Sequence, residues 1–214
     1  MTDDQDMTDA QDMTNDDDRS TLDEIVNIRT DRLGVLVEQL TEGVQLSRTR
    51  IDGVTDDEMV WEPTPASWSV RARSDATTPN AYGPGEYVLD HDSSADPFAN
   101  ATVSTIAWRV GHLVSMFAGR WEWTFGERST DPADLVDFVP SVSMVDRMWD
   151  EIDRWATSLE GLTDEQLDEV GFGQYPWGLD PHIAFIGIIR WMNRETSHHL
   201  AEIALLRDLY AART

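Results

Sequence analysis

Residues 191–210, WMNRETSHHLAEIALLRDLY, decide the fold because they combine a helical repeat with a polar interruption of it. Apolar side chains upstream recur at intervals of three and four, which is typical of an amphipathic helix. Continued downstream, the same series meets two carboxylates and an imidazole before it returns to a leucine. The stripe consists of Phe185, Ile188, Met192, Glu195, His199, Glu202 and Leu206. The pattern predicts a helix that is capped by Asp180, has Pro181 at its first position and runs to about Ala212.

Three further stretches upstream show helical spacing. The first opens on a capping-box pattern formed by Thr21 and Glu24. The predicted helices cover about residues 21–51, about residues 102–126, and the stretch between Pro140 and Gly161. No stretch shows convincing strand alternation, so the predicted fold is all-α. We expect a four-helix bundle, in which sites form between side chains of facing helices.

A long connection separates the first two predicted helices. Residues 56–60 indicate a short helical turn, and residues 61–70, WEPTPASWSV, suggest an extended strap over the body. Residues 74–100 are rich in Pro, Gly, Asp and Ser and are predicted to be one long irregular connection. Compact domains rarely contain such a connection without a function for it.

The N-terminal segment differs from the rest in composition. Within residues 1–19, eight aspartates stand against Arg19. Such a segment buries too little apolar surface to offset the entropy of ordering. We therefore interpret residues 1–19 as a disordered acidic tail and residues 20–214 as one domain.

The charge balance of the chain restricts its partners. Its 214 residues include 41 acidic residues and 16 basic ones, which are all arginine, and the net charge is -25. Such a field repels phosphate backbones and anionic lipid, so we expect neither a nucleic-acid nor a membrane partner. The sequence has no apolar run that suits a signal peptide or a membrane span, and a cytoplasmic location is expected.

The absence of cysteine limits the chemistry. It excludes disulfides, thiolate metal sites and cysteine nucleophiles, so any metal must be held by His, Asp or Glu. Glu195 and His199 are four residues apart, a spacing at which one helix offers two ligands to one ion. His112, in the second predicted helix, is the candidate third ligand. Two histidines and a carboxylate suit Zn, Ni or Fe(II).

The same residues are equally compatible with a polar seam that holds no metal. In that case Glu195 pairs with Arg109, Arg190 or Arg194, and Glu202 pairs with Arg207 or His198. The residues alone leave both interpretations open. His91, in the irregular connection, and His182, in the first turn of the last helix, are expected to be solvated.

Three motifs carry a resemblance to a known family. They are W-x-P-x-P-x-x-W-S-V at residues 61–70, T-I-A-W-R-V-G-H-L at residues 105–113, and N-R-E-x-x-H-H-x-A-E-I-x-L-L-R-D-L-Y at residues 193–210. Through them, the chain resembles the DinB-like family of four-helix-bundle proteins, especially its members from high-GC bacteria, over about residues 21–212. Members look like metalloproteins that use one His of the second helix and an H-x-x-x-H pair of the last. Some relatives are S-transferases or isomerases that use mycothiol or bacillithiol.

The resemblance assigns roles to individual residues. His112 matches the ligand of the second helix, His199 matches the second His of the final pair, and Glu195 stands where the first His would be. A site with Glu195 is harder and more anionic than a three-histidine site. His198 and Glu202 are the alternative ligands, and Arg109 and Arg194 are expected to hold a carboxylate of the substrate.

Two functions follow as expectations. The first is a metal-dependent enzyme that acts on a small thiol or thiol conjugate, with mycothiol as a thiol co-substrate, because the chain has no sulfur nucleophile of its own. The second is a non-catalytic bundle that binds a small molecule or forms a homodimer, in which the polar residues of the last helix serve ion pairing.

Overall fold

The structure is a computed structural model that describes residues 31–93, 103–178 and 180–213. The predicted acidic tail, residues 1–19, and the first part of the first predicted helix, residues 21–30, lie outside the described residues. So do residues 94–102 of the predicted connection. Within the described part, no helix is long and apolar enough to cross a membrane.

Four long helices dominate the described residues. In chain order the elements are α1 (Arg32–Ile51), α2 (Asp56–Val60), β1 (Val70–Ala72), β2 (Tyr87–Leu89), α3 (Ile106–Thr124), α4 (Ser143–Leu159), α5 (Asp164–Asp168) and α6 (Phe185–Ala212). Helix α1 packs mainly against α6, and α3 packs mainly against α4. Contacts of α3 with α6 and of α1 with α4 join the two pairs. The predicted all-α, four-helix bundle is confirmed.

The helices begin where side chains can satisfy their first amide groups. Asp31 accepts a hydrogen bond from the amide of Gly34 at the start of α1, and Thr105 accepts one from the amide of Trp108 at the start of α3. Thr55 and Glu58 form a reciprocal capping box around α2. The Thr105 cap fixes the start of α3 and thereby places His112 in its second turn.

The predicted strap lies along the segment that precedes α3. The amide of Trp68 donates to the carbonyl of Val103 at 3.0 Å, and the amide of Thr105 donates to the carbonyl of Trp68 at 2.9 Å. Because residues 103–105 are extended in this pairing, α3 starts later than the predicted residue 102.

The prediction of a wholly irregular connection without strands is wrong for β1 and β2. They pair antiparallel, with Val70 opposite Leu89. Each strand is three residues long, which is too short to show a clear alternation of apolar and polar residues. The hairpin packs on α3 at Gly111, where an added Cβ would lie 3.0 Å from Leu89 Cδ1 and 3.3 Å from Val70 Cγ2. The connection therefore covers the part of α3 that carries His112.

The predicted start of the last helix is also wrong. Residues 180–182 form a 3-10 turn, and the N-cap of α6 is Ala184 rather than Asp180. The backbone just before α6 is held by the segment after α5. Ala184 forms a β-bridge with Val170, and the amide of Phe185 donates to the carbonyl of Glu169 at 3.1 Å. This tertiary pairing overrides the local Asp-Pro helix-start signal.

Candidate metal centre

His199 is the centre of a polar cluster between α3 and α6. Its side chain is only 7% exposed. The Nδ1 atom lies 2.8 Å from Glu202 Oε2, and Nε2 lies 3.6 Å from Glu195 Oε2. Arg109 forms an ion pair with the same Glu202 oxygen. An arginine only donates, so Glu202 accepts from both neighbours and Nδ1 of His199 is the protonated nitrogen. Nε2 then carries a lone pair toward Glu195.

His112 faces this nitrogen from α3. Its ring stacks on Trp108 at a centroid distance of 5.0 Å and an angle of 4°, and it meets the His199 ring edge-on at 4.8 Å. Neither ring nitrogen has a hydrogen-bond partner among the described residues. Burial, with the neighbouring His199 and Arg109, lowers the pKa of His112 to about 3. His112 is therefore neutral and has a lone pair available.

Trp108 fixes the orientation of that ring. Its indole nitrogen donates to the carbonyl oxygen of Asp90 at 2.7 Å. Asp90, which is fully buried, also accepts from the amide of Ser69 at 3.0 Å and from Nε of Arg71 at 2.9 Å. The hairpin thus holds Trp108, and Trp108 in turn supports His112.

The three predicted ligands come together. Ligand atoms of His112, Glu195 and His199 all lie within 4.8 Å of one another. Ligands that bind one ion at about 2.0–2.2 Å are separated by about 3–3.5 Å, so small side-chain rotations would suffice. Two imidazole nitrogens and one carboxylate oxygen suit a divalent transition metal. The residues present therefore fit the ion that the family resemblance implies.

A second set of candidate ligands shares His199. His198, His199 and Glu202 also bring their ligand atoms within 4.8 Å of one another. However, the side chain of His198 is 61% exposed, and Glu202 is already engaged by Arg109. The donors of the first set are less engaged, which favours it as the metal site.

A comparison with protein families bears on this site. The family model described as the DinB superfamily matches residues 39–203. The chain belongs to the DinB superfamily. The match includes all of α3 and most of α6, and thus every candidate ligand of both sets. No curated protein and no solved structure was found to match the chain. Membership of the DinB superfamily fits a metal-associated protein, and the cluster supplies residues suited to that role.

Arg109 and Arg194, predicted to bind substrate, occupy different environments in this DinB superfamily protein. Arg109 is mostly buried and paired with Glu202. Burial lowers the pKa of Arg109, and the Glu202 charge opposes this. Burial alone would raise the pKa of Glu202, but the His199 hydrogen bond and the Arg109 charge bring it below its ordinary value. Both groups are therefore charged at neutral pH, and each compensates the other.

Arg194 is exposed and remains accessible. Its Nη2 atom lies 2.9 Å from Glu195 Oε1, while the other oxygen of Glu195 faces His199. Glu195 can therefore pair with Arg194 and still offer an oxygen to an ion.

The predicted ion-pair partners are found in part. Glu195 pairs with Arg194, and His198 Nε2 lies 3.2 Å from Glu202 Oε1, so these two predicted contacts are present. The predicted pairs of Glu195 with Arg109 and of Glu202 with Arg207 are wrong. Arg109 pairs with Glu202 instead of Glu195, and Arg207 pairs with Glu58. These partners depend on how α3 and α6 are rotated relative to each other.

The prediction that His91 is solvated is wrong, whereas His182 is exposed as expected. His91 is partly buried, with its ring edge-on to Trp68 at 6.2 Å and to Tyr82 at 6.0 Å. Burial lowers the pKa of His91, against the charge of Asp92. The Tyr82 hydroxyl lies 3.1 Å from the hydroxyl of Ser115, one turn beyond His112 on α3. Only the aromatic content of the connection hinted that it would contribute to the site.

Proposed function

We propose that the protein is a metal-dependent enzyme that acts on a small thiol or thiol conjugate. Its cofactor is a divalent Zn, Ni or Fe ion, and its thiol co-substrate is mycothiol or bacillithiol. The proposal is carried by one observation: His112 has no hydrogen-bond partner among the described residues, yet it faces Glu195 and His199 at ligand distances. Superfamily membership supports the same conclusion.

The residues of the cluster divide the work of such a site. His112, Glu195 and Nε2 of His199 would hold the ion, while Glu202 holds the tautomer of His199. A bound divalent ion supplies Lewis acidity, which stabilises a thiolate by lowering the pKa of the thiol. The sulfur must come from the substrate because the chain contains no cysteine. Arg194 is placed to hold a substrate carboxylate, whereas Arg109 is already neutralised by Glu202.

The metal content of the full-length protein, purified without a histidine tag, tests the site. We expect about one transition-metal ion per chain by elemental mass spectrometry. Replacement His112→Ala or His199→Ala should abolish binding, with the helical circular dichroism retained. His182→Ala is the matched control because His182 is exposed and belongs to neither ligand set. Loss of metal in His198→Ala but not in His112→Ala would move the site to the second set.

The reaction has its own test. The loaded protein is incubated with mycothiol, bacillithiol or glutathione and a set of carbon electrophiles, and the disappearance of free thiol is followed. An S-transferase forms a bond between sulfur and the electrophilic carbon, so the free thiol is consumed with the electrophile. Loss of the rate enhancement in His112→Ala would support the role of the metal. If none of the thiols is consumed, the thiol chemistry is wrong even where metal is bound.

A second candidate function is a non-catalytic bundle that binds a small molecule or dimerises. It is favoured by the ion pairs of Arg194 with Glu195 and of Arg109 with Glu202, which already compensate the carboxylates of the last helix. For such a bundle, the purified protein is free of transition metal, and His112→Ala merely lowers the free energy of unfolding. The metal content therefore separates the two functions.

A further inference from the structure

A cavity of about 870 Å³ borders the metal cluster along α6. Its volume is within the range of small-molecule sites. The lining includes Arg120, Arg190, Arg194, Trp177, Trp191 and Asn193. Among the lining residues in the described part of the chain, three are arginines and none is acidic. In a protein with a net charge of -25, such a concentration of arginine is unlike the average surface.

Arg120 is the most constrained of these arginines. It is only 7% exposed, and its guanidinium lies 4.3 Å from the ring centroid of Tyr175 and 4.8 Å from that of Trp191. Two aromatic faces therefore hold the planar group in place. Burial lowers the pKa of Arg120 to about 10, with the Tyr175 charge opposing this, and the group stays positive at neutral pH. The cavity wall thus contains a fixed and poorly hydrated cation.

The other two arginines lie on the exposed side of α6. Arg190 forms no hydrogen bond or ion pair with any described residue, and Arg194 contacts only the Oε1 atom of Glu195. Trp177, on the loop before α6, is 49% exposed and adds an aromatic surface to the lining. The cavity therefore offers positive charge together with flat apolar surface.

We propose that this cavity binds a small organic carboxylate with a flat apolar portion. Guanidinium groups pair with carboxylates through two parallel hydrogen bonds, and indole rings pack against flat apolar groups. The site shares Arg194 with the proposed thiol chemistry and adds Arg120 and Arg190, but it does not require the metal. Through the contact of Arg194 with Glu195, the bound anion would lie beside the metal cluster.

Calorimetric titration of the full-length protein with 2-naphthoate tests the proposal. The neutral analogue 2-naphthalenemethanol reports the part of the affinity that is independent of charge. We expect saturable 1:1 binding of 2-naphthoate, about tenfold tighter than that of the alcohol, because a charge-assisted hydrogen bond is lost with the alcohol. Arg190→Gln should weaken 2-naphthoate about tenfold and leave the alcohol unchanged.

Matched variants locate the binding. Arg213→Gln makes the same charge change on exposed α6-flanking chain outside the cavity and should leave both affinities unchanged. Arg120→Lys keeps the charge but loses the planar fork, so it should also weaken 2-naphthoate selectively. His112→Ala should retain 2-naphthoate binding, because the anion is not held by a metal.

Three results would overturn the proposal. They are no saturable binding of 2-naphthoate, equal losses in Arg190→Gln and Arg213→Gln, and loss of binding in His112→Ala, which would assign the carboxylate to the metal. Phenyl phosphate is the final arm of the test. Binding of phenyl phosphate in preference to 2-naphthoate would show that the anion is a phosphate. None of these results depends on whether thiol is consumed, so the proposed function can fail independently.

Discussion

Glu202 controls which nitrogen of His199 faces the candidate ligands. Its carboxylate accepts from Nδ1, and this leaves Nε2 unprotonated. Partners of this kind fix the tautomer and raise the basicity of a metal-binding imidazole. The side chain next to the ligands is therefore part of the site although it is not one of the first-choice ligands.

Glu202→Gln should weaken metal affinity about tenfold to a hundredfold, because glutamine keeps the shape but loses the charge that favours the Nδ1 tautomer. Competition with a chromogenic chelator measures the change. Asp208→Asn removes a charge from an exposed residue of the same helix and should have no effect. An unchanged affinity in Glu202→Gln would remove Glu202 from the site, and complete loss would favour the His198, His199 and Glu202 set.

The sequence predicts individual residues best where the relevant geometry is local. Glu195 and His199 could be paired because four residues make slightly more than one helical turn, and His112 followed as a histidine of another helix. The partner of Arg109 could not be predicted because it depends on the rotation of α3 against α6. The place of His91 could not be predicted because it depends on the hairpin folding over α3.

At the scale of elements, Arg207 links the end of α1, the short helix α2 and the last helix. Its Nε donates to Glu58 Oε1 at 2.9 Å, and its Nη1 donates to the carbonyls of Arg50 at 2.7 Å and Asp52 at 2.8 Å. Burial would raise the pKa of Glu58, but the bonds from Arg207 and Thr55 lower it. A carboxylate whose pKa is lowered by folding stabilises the native state above its unfolded pKa.

Glu58→Gln should therefore lower the free energy of unfolding by about 1–2 kcal/mol at pH 7. The wild-type advantage should disappear as the pH falls from about 4.3, the ordinary glutamate value, through the lower pKa of folded Glu58. Urea denaturation across pH 3–7 measures both effects. The exposed Glu42→Gln on α1 is the control. A difference that stays constant with pH would show that the ionised carboxylate contributes nothing specific.

Gly111 allows the hairpin to approach α3. Gly111→Val should lower the free energy of unfolding by about 1–3 kcal/mol, because its Cβ would already meet Leu89, Val70 and Phe138 at 3.0–3.4 Å. Gly43→Ala on α1 is the contrasting variant: its Cβ would lie 3.6 Å from Ser197 Oγ, an ordinary contact. It should gain about 0.5–1 kcal/mol from helix propensity. Thermal unfolding measures both changes, and a Gly111→Val variant as stable as wild type would contradict the tight packing.

Element types were more predictable than element ends. Periodicity correctly indicated the four long helices, because each buries one apolar face along its length. The start of α6 was missed because the backbone before it pairs with the segment after α5. The strands were missed because their stability comes from packing on α3, with only three residues in each.

The whole molecule carries a large excess of negative charge. With 41 acidic and 16 basic residues, like charges repel one another in the compact state. Salt screens this repulsion, and at 1 M the screening length is only about 3 Å. Screening also weakens exposed ion pairs such as Arg32 with Asp168, but pairs of this kind contribute little to the free energy of unfolding.

Raising KCl from about 0.05 M to about 1 M should therefore increase the urea midpoint of unfolding. KCl is preferred to a sulfate salt, which would strengthen burial of apolar surface by a separate effect. The same titration at pH 4, where part of the carboxylates is protonated, should show a smaller increase. A midpoint that falls with salt at pH 7 would mean that attractive ion pairs outweigh the net charge.

The division of the bundle into two helix pairs has a consequence for its motions. Helices α1 and α6 form one pair, α3 and α4 form the other, and the candidate ligands lie on opposite sides of the boundary between them. Without an added link, amide groups of the two pairs can exchange with solvent through separate partial openings. An ion held jointly by His112 and by Glu195 and His199 would make both pairs open together, so their slowest amide exchange rates would converge.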